Sequence, residues 1–262
     1  MRRLGLLTVL ASAIVHAQVG GQGQFPQFRS MSGLPGSGYG VLADGKIDPL
    51  GAWSLSTPIA YSLKPYQFSV GAGSLSPNSR PRFFDTTSGE SRGNGTGQIT
   101  VGLPLGKYGT GTYTLMILSG KMDNASNFTY SPPGQTGPLR FGIGVQDIGG
   151  GGGTQGEGIN HQDPGNSRSF FAVATFEGPQ GLHASLGAGS TRFDGVFGNA
   201  SANITPRTKA VVEFDTFNWN YGIGYDLGRF GKGLFPGNES GGSMFLGMIR
   251  GKFAYWSVNF RF

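Results

Sequence analysis

Two short stretches carry the residue types able to do chemistry. Gly181-Leu-His183-Ala-Ser185-Leu-Gly187 places a histidine two residues before a serine, a pairing in which imidazole could take the hydroxyl proton and make a nucleophile. Glu213 and Asp215 also lie two apart. On one face of a strand they would be roughly 6–7 Å apart along the backbone, within the range of carboxylate separations in glycosidases. Both patterns are incomplete: no acid or amide is placed to orient His183, and nothing supplies a substrate cleft beside the carboxylates. His161, in a glycine-rich loop, is too far from His183 to make a metal site without clustered carboxylates. The chain has no cysteine, which excludes thiolate ligands and thiol nucleophiles. The expectation is no catalytic residue, no metal and no cofactor.

The elements that position these residues explain why the chemistry is incomplete. In the closing stretch Phe253-Ala-Tyr-Trp-Ser-Val-Asn-Phe-Arg-Phe262, Trp256, Val258, Phe260 and Phe262 share one face at a period of two. Tyr255, Ser257, Asn259 and Arg261 share the other. An oily face without interruption opposite a polar one suits a strand between lipid and a polar lumen. The stretch resembles the closing strand of bacterial outer-membrane β-barrels. That resemblance implies that Trp256, Phe260 and above all the terminal Phe262 form the signal read by the barrel assembly machinery.

Similar alternation recurs along the chain. Strands are expected at 53–57, 66–72, 98–103, 112–118, 139–146, 169–176, 182–190, 196–204, 208–215, 219–227, 244–250 and 253–262. The predicted fold is therefore all-β, an antiparallel transmembrane barrel of about 12 strands, with a range of roughly 10–14. No amphipathic helix of ten or more residues competes with it. In this count long connections at about 75–95, 120–138, 148–167 and 228–242 fall mostly after even-numbered strands. A barrel with both termini on one side should place them after odd-numbered ones, so one strand is miscounted: either residues 38–43 supply an extra first strand or residues 243–262 form one long strand. The aromatics Trp53, Tyr66, Trp219, Tyr225, Tyr255 and Trp256 are placed near strand ends as an interfacial girdle.

The first residues agree with export. Arg2 and Arg3 precede an apolar run from Leu4 to Val15, and Val15-His16-Ala17 offers a cleavage site, so residues 1–17 are expected to be a signal peptide. Residues 18–49, rich in Gly, Gln, Pro and Ser, are expected to be a flexible leader, and 50–262 the barrel. The expected location is the bacterial outer membrane, with outer-membrane lipid as a partner.

Composition points the same way. Only 37% of the 262 residues are apolar and 13% charged, while glycine numbers 49, a thin apolar share for a soluble core of this length. A membrane barrel needs less, because only every second strand residue must be apolar. Removing Arg2 and Arg3 leaves 18 basic against 14 acidic residues, too mild and scattered a surplus for nucleic acid.

Phe141-Gly-Ile-Gly-Val-Gln-Asp-Ile148, Leu186-Gly-Ala-Gly-Ser-Thr-Arg-Phe193, Val212-Glu-Phe-Asp215 and Asn220-Tyr-Gly-Ile-Gly-Tyr225 resemble successive strands of YjbH-like outer-membrane barrels, over roughly residues 141–262. The resemblance implies a barrel architecture and an association with exopolysaccharide export. The His-x-Ser of residues 183–185 is similar to that of outer-membrane phospholipases, but Leu186 stands where that family has Asn. Alternation also sends Leu182, Ala184 and Leu186 to the lipid and turns His183 and Ser185 inward.

With Val212, Phe214, Trp219, Tyr221, Ile223 and Tyr225 outward, Glu213, Asp215, Asn220 and Asp226 line the lumen, and Arg140 and Arg261 are its basic candidates. Such charges pair and plug a confined lumen, or line a narrow, cation-favouring pore. The expected function is a non-catalytic outer-membrane barrel, structural, accessory or porin-like. A lipase-type barrel enzyme and a secreted soluble β-sandwich binding protein are the alternatives.

Overall fold

The computed structural model describes residues 33–75, 95–117, 124–150, 168–193, 195–216, 218–234, 236, 238–249, 251 and 253–262. The segment 1–17, the first part of the expected leader and His161 lie outside the described residues. Twelve antiparallel strands form one closed barrel, each paired with its sequence neighbours. They are β1 (Phe68–Leu75), β2 (Gly95–Pro104), β3 (Thr110–Ile117), β4 (Asn124–Ser131), β5 (Leu139–Gln146) and β6 (Ser169–Glu177). β7 (His183–Gly189), β8 (Gly195–Thr205), β9 (Thr208–Phe214), β10 (Trp219–Lys232), β11 (Glu239–Ile249) and β12 (Phe253–Arg261) complete it. Closure is made by β1 on β12, from Ser69 opposite Arg261 to Leu75 opposite Tyr255. Among the described residues no helix is long and apolar enough to cross a membrane.

The count of twelve agrees with the sequence reading, but two of its members differ. Residues 53–57 are not a strand, and β4 was missed inside the presumed 120–138 loop. β4 reads Asn-Ala-Ser-Asn-Phe-Thr-Tyr-Ser, and Phe128 and Tyr130 are the only large apolar residues on its outward face, too few to announce a strand. Restoring β4 settles the parity conflict: the long connections 76–94, 118–123 and 147–168 follow β1, β3 and β5. The expected 228–242 loop is largely a hairpin extension instead, since β10 runs to Lys232 and β11 starts at Glu239. Register shifts between Asp226 and Gly228 and between Arg229 and Gly231 mark bulges there, which twist the hairpin at the rim.

Alternation sorts side chains as the period of two requires. Val70, Ile99, Phe141, Ile143, Leu186, Tyr221, Ile223, Tyr225, Leu246 and Phe260 are exposed on the outside. Their neighbours Ser69, Gln98, Thr100, Ser185, Asn220, Asn259 and Arg261 are buried inside. Leu186 is 65% exposed and His183 1%; the turn Gly178–Leu182 delivers β7 in that facing. In the closing strand Trp256 and Phe262 are half-buried and Phe260 exposed, whereas Tyr255, Ser257, Asn259 and Arg261 are buried.

A barrel of about 8 strands can fill its interior with its own side chains, whereas roughly 16–18 strands leave an aqueous channel. Twelve strands lie between, and here the space is taken by the chain itself. Residues 33–67 run through the lumen as an irregular plug. Leu34, Tyr39, Val41, Ile47, Ala52, Trp53, Leu55, Ile59, Ala60, Tyr61 and Leu63 are all buried in it. The expected boundary at residue 50 is therefore displaced: 33–49 pack inside, 50–67 belong to the same plug, and the barrel starts at Phe68.

The plug also changes what faces inward. Phe171, Val173, Phe193 and Phe197 share one apolar cluster with plug residues from Leu34 to Leu63. Val211, Phe245, Ile249 and Tyr255 surround Trp53 and Leu55, with the Trp53 and Phe245 rings 6.3 Å apart. Trp53 and Tyr255, expected in an interfacial girdle, are lumen residues. An inner wall that meets an apolar plug carries apolar patches of its own, and these interrupt the clean alternation expected of a watery lumen.

Candidate functional site

The lumen holds most of the polar residues singled out from the sequence, and its centre is Glu213 on β9. Side and main chain of the plug converge on its carboxylate. Leu55 N donates to it at 2.9 Å, Ser56 N at 3.1 Å and Thr57 N at 3.2 Å. The Ser56 and Thr57 hydroxyls donate at 2.6 and 3.0 Å, and Asn220 Nδ2 at 2.8 Å. Glu213 is completely buried. Among the described residues no cation pairs with it in an ion pair; hydrogen bonds to the ionised oxygens do that work, each stronger than its neutral counterpart.

The apparent strand at 53–57 now has a physical explanation. Its N–H groups are satisfied without a neighbouring barrel strand: Ser54 N donates to the Gly36 carbonyl of the plug, and Leu55, Ser56 and Thr57 N donate to Glu213. From Trp53 onward the plug winds around the inner wall, bonding to one or two strands at each step. Trp53 N donates to Ser201 Oγ on β8 at 3.2 Å. Asn199 Nδ2, also on β8, donates to the Pro58 carbonyl at 3.1 Å. Ala60 N donates to Thr175 Oγ1 on β6 at 2.8 Å. Ser62 N donates to Ser131 Oγ on β4 at 2.8 Å, and Leu63 N to Thr112 Oγ1 on β3 at 2.6 Å. Polar wall residues thus replace the β-ladder partners that an irregular segment lacks.

Inward glycines make the room. A Cβ at Gly224 on β10 would fall within the Trp53 ring, and one at Gly102 on β2 would collide with the Lys64 carbonyl. The high glycine content is in part the imprint of the plug on the wall.

The other candidates take separate places. Asn220 bridges the acids, donating to Asp215 Oδ2 at 3.1 Å as well as to Glu213. Asp215 also accepts from Asn218 N at 2.8 Å. Asp226 and Arg261 form a buried ion pair at 3.3 Å, at the end of the barrel where the chain enters β1 and leaves β12. Arg140 on β5 is half-buried near the same end, and its Nε has no hydrogen-bond partner. The acids therefore do not form one continuous stripe facing an open pore: Glu213 is consumed by the plug and Asp226 by Arg261.

His183 and Ser185 do not form a catalytic pair. Ser185 Oγ shares a 2.9 Å hydrogen bond with Thr175 Oγ1, while His183 Nδ1 lies 3.1 Å from the Gly181 carbonyl and 3.2 Å from Lys209 Nζ. Lys209, fully buried, escaped the sequence reading. Its ammonium donates to the Leu50 and Gly51 carbonyls of the plug. Lysine inside a strand gave the only available signal, and its partner could not be read without the plug. Among the described residues no three His, Asp or Glu side chains cluster to hold a metal.

No family model matches the chain, and no curated protein matches it. The geometry must carry the functional reading.

Proposed function

We propose that this is a non-catalytic outer-membrane β-barrel that closes its own lumen with residues 33–67, acting as a structural or accessory barrel. The supporting observation is the sorting of side chains in a closed barrel: large apolar residues are exposed on the outside of nine of the twelve strands, β1, β2, β5–β8 and β10–β12, and polar ones are enclosed. Such an exterior is costly in water, since soluble monomers rarely expose large contiguous apolar patches. It is what hydrocarbon solvates well. In this reading the end bearing Phe68 and Phe262 faces the periplasm, the opposite end, bearing Leu75 and Gly95, faces the cell exterior, and Trp256, Phe260 and Phe262 serve barrel assembly. The YjbH-like resemblance suggests envelope polysaccharide traffic as the setting.

A lipase role is disfavoured by the inward facing of His183 and Ser185 and by their other partners. A standing pore is disfavoured by the plug. Fractionation with and without detergent tests the reading, and recovery of the folded chain in a detergent-free aqueous extract would overturn it. In planar bilayers the full chain is expected to be electrically silent.

A further inference from the structure

A polar cavity of about 220 Å³ opens between plug and barrel at the end of the molecule bearing Phe68 and Phe262. The plug contributes Lys46, Asp48, Lys64 and Gln67, and the barrel rim Asp226, Arg229, Asn238, Glu239 and Arg261. We propose that this cavity binds a sugar acid, a single pyranose-sized unit bearing a carboxylate. The proposal rests on the reading of residues 33–67 as a seated plug.

The charge pattern selects the anion. Asp226 is taken by Arg261 at 3.3 Å and Glu239 by Arg229 at 3.0 Å, with Lys46 more distant from Glu239 at 3.8 Å. Asp48 accepts from Leu50 N at 3.0 Å. Lys64 has no ion pair among the described residues, so one wall presents a free ammonium and Lys46 a loosely held one. Both arginines, which would grip carboxylate or phosphate in bidentate fashion, are engaged with carboxylates of the protein. The Lys64 ammonium attracts either anion as a point charge, so the choice of a sugar acid over phosphate falls to the lining around it.

The remaining lining selects hydroxyls. Gln67 Oε1 accepts from Ile47 N at 3.3 Å, which leaves its amide hydrogens for an occupant. The second oxygens of Asp48 and Glu239 are acceptors. A wall that mixes donors with acceptors matches hydroxyl groups, which are both.

Size is consistent: the space equals about seven waters at ~30 Å³ each and falls below the ~300–1,000 Å³ typical of drug-sized ligands. Because plug and rim each supply half of the contacts, an occupant stabilises the seated plug by mass action.

The test is calorimetric titration of the full chain, folded in detergent, with glucuronate, glucose, acetate and inorganic phosphate. Saturable binding of glucuronate is expected, at least tenfold tighter than that of the other three. Lys64→Gln, at an exposed position, should weaken it about tenfold, and Lys107→Gln, outside the cavity, should leave it unchanged. Absence of saturable glucuronate binding, equal binding by Lys64→Gln, or equally tight phosphate or acetate would overturn the proposal.

A locked form separates this result from the plug itself. The Ser62 and Ser131 hydroxyl oxygens lie 3.0 Å apart, so Ser62→Cys with Ser131→Cys places two thiols within disulfide reach in a chain with no other cysteine. A disulfide that forms, in protein that still binds glucuronate, supports both readings. A disulfide without binding overturns the site alone, and failure of the disulfide to form overturns the plug.

Discussion

Glu213 joins barrel and plug through more hydrogen bonds than any other side chain described here, and its removal should show whether the plug depends on it. Glu213→Ala leaves the Leu55, Ser56 and Thr57 N–H groups buried without acceptors, at about 1–3 kcal/mol for each unsatisfied group. Partial relaxation should bring the total to roughly 3–5 kcal/mol, the usual cost of breaking a buried charged network by removing one member. Urea titration of the refolded protein measures the loss. If the plug leaves rather than the barrel unfolding, the same variant should conduct in planar bilayers. Glu213→Gln should fall between wild type and alanine, because one oxygen remains an acceptor while the new amide confronts donors. Gly224→Val tests the same joint from the wall: its side chain would occupy the place of the Trp53 ring. Trp53 fluorescence, red-shifted by exposure to water, is the direct readout, and unchanged emission would contradict the seat assigned to that indole.

At the level of elements, the plug behaves as an ordered part of the fold rather than as a tether. Locking it through Ser62→Cys and Ser131→Cys should abolish any conductance that Glu213→Ala opens, and reduction should restore it; a current indifferent to reductant would mean that ions pass by another route. How far such elements could be read from sequence depends on what each faces. β5, β7, β9, β10 and β12 were legible because their outward faces are largely apolar while their inward ones are mostly small or polar, as with Leu186 beside Ser185 or Ile223 beside Gly224. β4 was not, since Ser126 and Asn124 dilute its outward face. The plug was not legible because its apolar residues obey no period: each fills a separate niche set by the wall, Trp53 at Gly224 and Leu63 near Thr112. Phe171, Phe197 and Phe245 blurred the pattern for the related reason that they meet the plug. The lumen position of Glu213, Asp215, Asn220, Asp226 and Arg261 could be read from alternation alone. Their partners could not, because all six of the plug's hydrogen bonds to Glu213 join residues more than 150 positions apart in the chain.

For the whole molecule, the central question is which solvent meets the exterior, and a single outward residue can answer it. Leu186 is 65% exposed, near the middle of β7, and faces outward. In water, Leu186→Arg would be close to neutral, as exposed substitutions away from special features usually fall within about 0.5 kcal/mol. In a bilayer the same arginine would sit in hydrocarbon and cost about 2–4 kcal/mol at the midplane, falling toward the interfaces. A lumen change of similar bulk, such as Ser185→Leu, acts through packing against Thr175 and so destabilises in either solvent. The two variants together discriminate. Folding into lipid vesicles, followed by urea titration, should show Leu186→Arg losing roughly 2–4 kcal/mol. In detergent micelles, which deform around a charge and admit water, the loss should be smaller. A penalty near zero in vesicles would mean that this face does not meet lipid, and the exposed apolar belt of β5–β10 would then need a protein partner to cover it.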